Sequence, residues 1–331
     1  MDTGTHIVMG LGLGGLAMLD PVVSADPITA QAVLIGTLVG SQAPDFDTIL
    51  KLKNNAVYIR NHRGITHSVP ALLIWPALLA PFIHLFFPES NGLHLWLWTS
   101  IAVIIHVFVD IFNAYGTQAL YPFSKRWVAL GVINIFDPFI FITHLVALAL
   151  WYVGFQPGII FAALYVLLIA YYIARIWSRH RVARAVATQI PETKDVIISP
   201  SLKWSHYHIA VKTKRQFFVA NMTHGVLTIL DTFDRMAIPN TPIMHAAMND
   251  KNISAFLSFS PVYRWEAERN SLGYEVRFID LRYRSKGHYP FVALVQLDHQ
   301  LKCVTSYTGW VYSEDRLRKK MDITPSKLIK N

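Results

Sequence analysis

The sequence is poor in cysteine and in charge. Its one cysteine among 331 residues, Cys303, excludes an intramolecular disulfide and a cysteine-rich zinc cluster, and it permits a reducing compartment. Charged residues make up 15% of the chain and hydrophobic residues 53%, whereas soluble proteins average about 25% charged residues. Phosphate-binding loops, dinucleotide fingerprints and a serine-hydrolase elbow are also absent from the sequence. This composition indicates a membrane protein.

The few charges are distributed unevenly. Residues 1–177 hold 7 Lys and Arg against 8 Asp and Glu, whereas residues 178–331 hold 23 against 13. An almost neutral part and a basic part predict two domains in two solvents. We predict a membrane-embedded domain over 1–178, a basic amphipathic linker over 179–194 and a β-rich cytoplasmic domain over 195–331.

The basic part favours β-structure. Short runs of aromatic and β-branched residues are separated by turn signals, which predicts a small antiparallel β or α+β domain. The predicted strands are 196–198, 206–211, 216–221, 226–231, 255–259, 262–267, 274–280, 291–296 and 302–305.

The apolar part contains six hydrophobic segments: 6–19, 28–40, 69–87, 93–112, 139–155 and 159–177. The last four approach the ~20 residues that a bilayer core requires. The first two are short and rich in glycine, so we expect them to tilt, to re-enter the membrane or to pack against the other helices. The fold class predicted is an α-helical polytopic membrane domain of about four to six helices, followed by the β-rich domain.

Basic residues occupy alternate connections of this membrane domain. By the positive-inside rule, six spans in the inner (cytoplasmic) membrane with both termini in the cytoplasm place every basic connection inside. The basic residues concerned are Lys51, Lys53, Arg60, Arg63, Lys125, Arg126, Arg179, Arg181 and Arg184.

The same topology gathers histidines and carboxylates at the cytoplasmic end of the segments. The residues placed there are Asp2, His6, Asp45, Asp47, His62, His67, His106, Asp110 and Asp137. Charge inside a membrane segment is costly and usually faces a partner or a cavity. We therefore predict a metal site at this membrane face.

Two pairs in this set have ligand spacing. His106 and Asp110 are four residues apart and share one helix face, although a buried His–Asp hydrogen bond would explain them equally well. Asp45 and Asp47 flank Phe46, and residues two apart in an extended stretch point the same way, which suits two carboxylates on a metal. A solvated turn at a helix end is the alternative for this second pair.

The stretch from Asn61 to Ser68 is dense in histidine and arginine. Gly64 and Thr66 indicate a loop entering the third helix, which lets both His62 and His67 turn inward. Arg60 and Arg63 add the fixed positive charge that an anionic substrate requires. The alternative is a membrane anchor with incidental histidines.

Three further polar residues follow the fourth segment. Asn113 and Tyr115 lie in a polar turn after Asp110 and could hydrogen-bond a substrate. Asp137 precedes Pro138 at the start of the fifth segment. Its alternative role is a carboxylate at a helix N-terminus, favoured by the helix dipole.

The order of these motifs resembles the bacterial membrane-bound metal-dependent hydrolases of the YdjM/YfhP type, which include a LexA-regulated inner-membrane branch. The resemblance covers roughly residues 1–180, and its most specific part is the block from His62 to Ser68. That family is distantly similar to zinc-dependent phospholipase C and P1-type nucleases. The resemblance implies a metal-ligand set of His6, Asp45, His62, His67, His106 and Asp110.

We therefore predict a metal-dependent membrane hydrolase. Mixed His and Asp ligands favour zinc, with manganese as the second choice. The predicted catalytic residues are Asp47 or Asp137 as general base and Arg63, which with Arg60 would hold a phosphate. A phosphoester is the expected substrate, and a membrane lipid is one candidate for it. The sequence does not identify a protein partner for the β-rich domain, and binding of nucleic acid is not expected.

A non-enzymatic protein is the competing hypothesis. It would be either an ion transporter or an adaptor with a structural His/Asp cluster, whose basic β-rich domain recruits a partner. A transporter usually holds its polar groups near the bilayer midplane, whereas these cluster at one end.

Overall fold

The fold is taken from a computed structural model that describes residues 1–321. The last ten residues of the predicted 195–331 domain lie outside the described part. The chain forms two compact units. The first comprises Met1–Asp47, Arg63–Arg184 and Ile198–His206, and the second comprises Thr48–His62, Ala185–Ile197 and the chain from Tyr207 onward. The predicted domain bounds stay a prediction.

The regular elements follow in chain order. Within the described residues, the α-helices are α1 (Thr3–Leu16), α2 (Pro21–Ala25), α3 (Pro27–Gly40), α4 (Asn55–Asn61), α5 (Val69–His84), α6 (Gly92–Ile111), α7 (Pro138–Tyr152), α8 (Pro157–Gln189), α9 (Pro242–Met248), α10 (Lys251–Phe259) and α11 (Glu314–Lys320). The strands are β1 (Asp195–Pro200), β2 (His206–Lys212), β3 (Gln216–Thr223), β4 (Val226–Asp234), β5 (Tyr263–Asn270), β6 (Gly273–Asp280), β7 (Phe291–Leu297) and β8 (Cys303–Trp310). Short 3₁₀-helices include Ala43–Leu52 and Ile65–His67.

Helices able to cross a membrane occur in the N-terminal part, as predicted. Within residues 1–321, α6 and α8 are long and apolar enough, and a third span results if the bent pair Asn55–His67 and Val69–His84 counts as one. The fold class is confirmed, but fewer helices reach full length than the four that the sequence predicts. The helix α7, with 15 residues, stops short because Gly154 takes a left-handed φ of 96° just after it.

The glycine-rich first segments pack tightly against their neighbours. A Cβ on Gly14 would lie 3.2 Å from the Leu34 Cα, and one on Gly40 would lie 3.0 Å from the Thr99 carbonyl oxygen. Only glycine lets the helix backbones α1, α3 and α6 approach this closely. The close approach brings the end of α3 beside α6, where the polar cluster lies.

The C-terminal part contains two four-stranded sheets, β1-β2-β3-β4 and β5-β6-β7-β8. The second sheet is an antiparallel meander whose strand β7 is buried along its whole length. Its apolar face packs on Phe256 and Ile253 of α10. The β-rich prediction is confirmed, with one correction. Residues 255–259 are helical rather than a strand, because Asp250 caps α10 by accepting hydrogen bonds from the backbone of Asn252 and Ile253.

Candidate metal centre

Four side chains of the first unit meet at one point. Asp45, His67, His106 and Asp110 each present one ligand atom, and these atoms all lie within 4.8 Å of one another. The two histidines face each other directly, with 3.3 Å between the Nε2 atoms of His67 and His106. His67, His106 and Asp110 are buried. Such a His/Asp cluster could hold a metal ion.

Each of the two carboxylates lies at a similar distance from both imidazoles. Asp45 Oδ1 is 3.6 Å from His67 Nε2 and 3.8 Å from His106 Nε2. Asp110 Oδ2 is 3.5 Å from His67 Nε2 and 3.8 Å from His106 Nε2. The four distances between a carboxylate oxygen and an imidazole Nε2 thus fall between 3.5 and 3.8 Å, as they do when ligands surround a common centre.

Local structure explains how three distant sequence motifs converge. His106 and Asp110 lie one turn apart on α6, so they share a face. Asp45 is in the 3₁₀-helix that follows α3. His67 ends the 3₁₀-helix Ile65–His67, directly before α5 begins. The ligands therefore come from the ends of helices, where irregular backbone can turn a side chain inward.

Each histidine is oriented by a contact at its other ring nitrogen. His106 Nδ1 is 2.6 Å from the Ser41 carbonyl oxygen. A carbonyl can only accept, so Nδ1 carries the proton and Nε2 keeps its lone pair for the centre. His67 Nδ1 is 3.0 Å from Thr66 Oγ1. Contacts of this kind fix the tautomer and ring orientation of metal-binding histidines.

Two carboxylate oxygens are buried at the centre without a hydrogen bond, namely Asp45 Oδ1 and Asp110 Oδ2. A buried, unsatisfied charged group is strongly unfavourable unless a cation compensates it. Arg63 Nη2 lies 3.2 Å from Asp110 Oδ2 and supplies one positive charge. The site still contains two converging carboxylates, which is the arrangement that a divalent cation stabilises.

His6 borders the four-residue group. Its Nε2 lies 3.4 Å from Asp110 Oδ1, and its ring stacks on that of His106 with 3.7 Å between centroids. The Met1 amino group contacts both the His6 ring, at 2.9 Å from Nε2, and the Asp110 carboxylate. The structure thus brings His6 to the cluster. His6 lies at Asp110 Oδ1, whereas the other two histidines lie at Asp110 Oδ2.

Asp47 holds the loop that presents His67. Its Oδ2 accepts hydrogen bonds from the Arg63 backbone N–H at 2.7 Å and from Thr66 Oγ1 at 2.9 Å. Arg63 takes a left-handed φ of 57°, a conformation that is uncommon for a side chain of this size and that the Asp47 contact helps to maintain. Asp47 therefore lies beside the cluster and positions one of its ligands.

The remaining predicted residues are not members of the four-residue group. Asn113 is next to the cluster, with Nδ2 3.5 Å from Asp110 Oδ1, and its Oδ1 accepts from the backbone N–H of Tyr115 at 2.8 Å. Asp137 caps α7 and also accepts from the Tyr171 hydroxyl at 2.8 Å, so it is not part of the four-residue group. Arg60 and His62 belong to the second unit, and their roles stay predictions.

Sequence reasoning missed two residues that orient the ligands. Ser41 contributes its backbone carbonyl, which no side-chain pattern can reveal. The sequence pattern predicts only a helix cap at Thr66, yet the Thr66 hydroxyl contacts both Asp47 and His67. Its place directly before His67 was the available signal.

The fold and the cluster define a helical membrane protein with a His/Asp group that could hold a metal ion. Comparison with known families agrees. Residues 1–182 match the YdjM inner membrane protein family, residues 191–233 the YfhP middle domain, and residues 242–321 the YfhP C-terminal alpha/beta plait domain.

The chain belongs to the YdjM inner membrane protein family. It is 60% identical over 324 residues to the uncharacterized protein YfhP of Bacillus subtilis strain 168. This match covers 98% of this chain and 99% of the relative. No solved structure matches the chain. The predicted family resemblance is thus confirmed.

Proposed function

We propose that the protein is a metal-dependent hydrolase that acts on phosphoesters at a membrane face. The observation that carries this proposal is the convergence of two imidazole Nε2 atoms on two buried carboxylate oxygens that accept no hydrogen bond, Asp45 Oδ1 and Asp110 Oδ2. The Arg63 guanidinium and the Met1 amino group offset part of the negative charge of Asp110, and a bound divalent cation would further stabilise the two converging carboxylates.

Zinc is the ion that we propose first. A tetrahedral zinc ion with ligand distances of about 2.0–2.2 Å places its ligand atoms about 3.3–3.6 Å from one another. The five separations that involve His67 Nε2 or His106 Nε2 run from 3.3 to 3.8 Å. Manganese, which also accepts mixed nitrogen and oxygen ligands, is the second choice.

The surrounding residues suit an anionic substrate. A divalent ion in such a site would supply Lewis acidity and, if its coordination expanded to admit water beside the four protein ligands, would activate that water near neutral pH. Arg63 lies against Asp110, and its guanidinium is the group best suited to a phosphate near the cluster. Of the two candidate general bases, Asp47 is the better, because it contacts Thr66 beside His67, whereas Asp137 serves as a helix cap.

The position of the cluster favours a hydrolase over a transporter. Asp110 is the residue before the last one of α6, and Asp45 and His67 lie outside the long helices. Transporters usually build their binding sites near the bilayer midplane, at broken helices. A site at helix ends is better placed to meet a substrate at the membrane surface.

The metal is tested first, by elemental analysis of the full-length protein in detergent. We expect close to one zinc or manganese ion per chain, and its loss in His67→Ala. The matched control is His180→Ala, which removes an exposed histidine of α8. Unchanged metal content in His67→Ala, in a variant that is folded and membrane-inserted, would refute the assignment.

The reaction is tested on the same samples with a panel of phosphoesters, from water-soluble aryl phosphates to phosphatidic acid. We expect phosphate release that requires the metal and that His67→Ala abolishes. A wild-type protein that holds its metal but hydrolyses none of the panel would overturn the hydrolase proposal and leave a metal-binding membrane protein.

A further inference from the structure

An apolar groove opens on the outer surface of the first unit, beside the metal centre. It has a volume of about 560 Å³, within the range of about 300–1,000 Å³ that is usual for ligand sites. All of its lining side chains are aliphatic or aromatic, so an occupant that fits it carries no polar group along its length. The residues that matter here are Ile35, Val39, Phe46, Leu79, Phe82 and Phe86.

One end of the groove is lined by a residue that neighbours the metal centre in sequence. This residue, Phe46, lies between the ligand Asp45 and Asp47, and its ring centroid is 6.0 Å from that of Trp75. Trp75 Nε1 donates to the Thr66 carbonyl oxygen at 3.2 Å, and Thr66 is the residue whose hydroxyl contacts His67. Through Phe46 and Trp75 the groove therefore adjoins the segments that carry Asp45 and His67.

From this end the groove extends away along α3 and α5. Val39 lies at the last turn of α3 and Ile35 one turn earlier, while Phe82 lies at the far end of α5. From Leu79 to its end at His84, α5 rises about 7.5 Å at 1.5 Å per residue, and Phe86 lies beyond that end. The groove is thus elongated and apolar, and Phe46 lines its near end.

Building on the hydrolase function, we propose that the groove binds one acyl chain of the substrate, which is a phospholipid of the surrounding membrane. Its anionic headgroup reaches Arg63 and the metal held by Asp45, His67, His106 and Asp110, and the uncharged groove takes the chain. Within a membrane an apolar groove gains little affinity from the hydrophobic effect. Its contribution is to hold the ester bond in place at the metal centre.

Photolabelling of the full-length protein in phosphatidylcholine nanodiscs tests this assignment. The probe is phosphatidic acid with a diazirine at the end of one acyl chain, and the labelled residues are located by mass spectrometry. Val39→Trp and Leu79→Trp each fill the groove. The matched control, Leu78→Trp, adds the same ring at an exposed position of α5 outside the groove.

We expect label on the groove residues of the wild type and of Leu78→Trp. In both groove variants we expect at least about a fivefold drop in labelling, because an added indole occludes the space, with metal content unchanged. If one groove variant fails to fold, the other decides. Label spread evenly over the lipid-facing helices, and equal in all variants, would overturn the acyl-chain site.

The two proposals fail in different ways. Groove-specific labelling without any phosphate release would refute the hydrolase and retain the lipid site. Metal-dependent release from a water-soluble phosphoester, together with evenly spread label, would retain the hydrolase and refute the acyl-chain site.

Discussion

The two ends of α6 each carry a histidine beside an aspartate, yet they are built differently. At the start of the helix, His94 Nδ1 lies 2.6 Å from Asp20 Oδ2, and Trp98 Nε1 donates to the same oxygen at 3.1 Å. The other oxygen of Asp20 accepts from the Val22 backbone N–H at 3.0 Å. Both oxygens of this carboxylate are therefore satisfied by the protein itself.

At the other end of α6, Asp110 Oδ2 is buried without a hydrogen bond and faces two histidines and a second carboxylate. A His–Asp pair with complete hydrogen bonding ties helices together, whereas one whose converging oxygens accept no hydrogen bond could hold a cation. The same two residue types thus serve as a structural contact at one end and as a candidate metal site at the other.

The largest expected effect is a difference in metal affinity between a variant of Asp110 and a variant of Asp20. Asp110→Asn should weaken metal binding by more than about 100-fold, beyond the 10–100-fold that is typical when an outer partner of a ligand is lost. Asp20→Asn should leave the affinity unchanged. Titration calorimetry on both variants measures this, and equal affinities would remove the distinction between the two ends of α6.

Removal of the metal should lower the thermal stability of the wild type. A ligand at 100 times its dissociation constant stabilises the folded state by about 2.7 kcal/mol, so a chelator should lower the apparent unfolding temperature in detergent. Asp20→Asn should respond to the chelator as the wild type does, and Asp110→Asn should not respond. A chelator response in Asp110→Asn would show that the stabilising ion binds elsewhere.

A smaller effect is expected from the hydroxyl that contacts His67. Thr66→Val keeps the shape of the side chain but removes the contacts to His67 and Asp47, and we expect about a tenfold loss of metal affinity. Thr143→Val is the matched control, because the Thr143 hydroxyl donates to the backbone carbonyls of Phe139 and Ile140 in its own helix α7. If both variants bind metal equally well, Thr66 does not orient the ligand.

The smallest effect concerns acid stability at the start of α6. Partial burial raises the pKa of Asp20, but hydrogen bonds from His94 and Trp98 outweigh this and hold the pKa below its usual value. The stabilisation is present above the unfolded pKa of about 3.9 and is lost as the pH falls towards the folded value. It should amount to about 1 kcal/mol or less, since the pair is partly exposed.

Unfolding of the wild type and Asp20→Asn between neutral and acidic pH measures this contribution. The wild type should be the more stable near neutrality, and the difference should shrink below a pH of about 4. A difference that stays constant through this range would assign the stabilisation to something other than the Asp20 charge.

Much of the fold could be predicted from hydrophobicity and charge. Long apolar runs with few charges predict helices that cross a membrane, and the β-branched runs of the basic part predict antiparallel sheets. The lengths of the helices could be predicted less well than their existence. Residues 69–87 form a helix only from Val69 to His84, because hydropathy measures where a segment prefers to lie and not where its helix ends.

The site could be predicted in part. The spacing of His106 and Asp110 fixed them on one helix face, and His67 and Asp45 were indicated by the density of polar residues at one end of the segments. Asp137 had the same signals, but the structure gives its carboxylate to the N-terminus of α7 and to Tyr171. A carboxylate before a proline that begins a helix is compatible with a role in the site and with a role as helix cap. The sequence alone therefore does not distinguish the two roles.

The sequence by itself determined the membrane class of the first part, the β-rich class of the second and the residue types able to bind a metal. These follow from local periodicity and from the cost of charge in lipid, which act on each segment separately. Only the tertiary structure decided which histidines and carboxylates converge and which are satisfied by hydrogen bonds. That outcome depends on contacts between distant residues, such as His106 with the Ser41 carbonyl oxygen, which close packing at Gly40 makes possible.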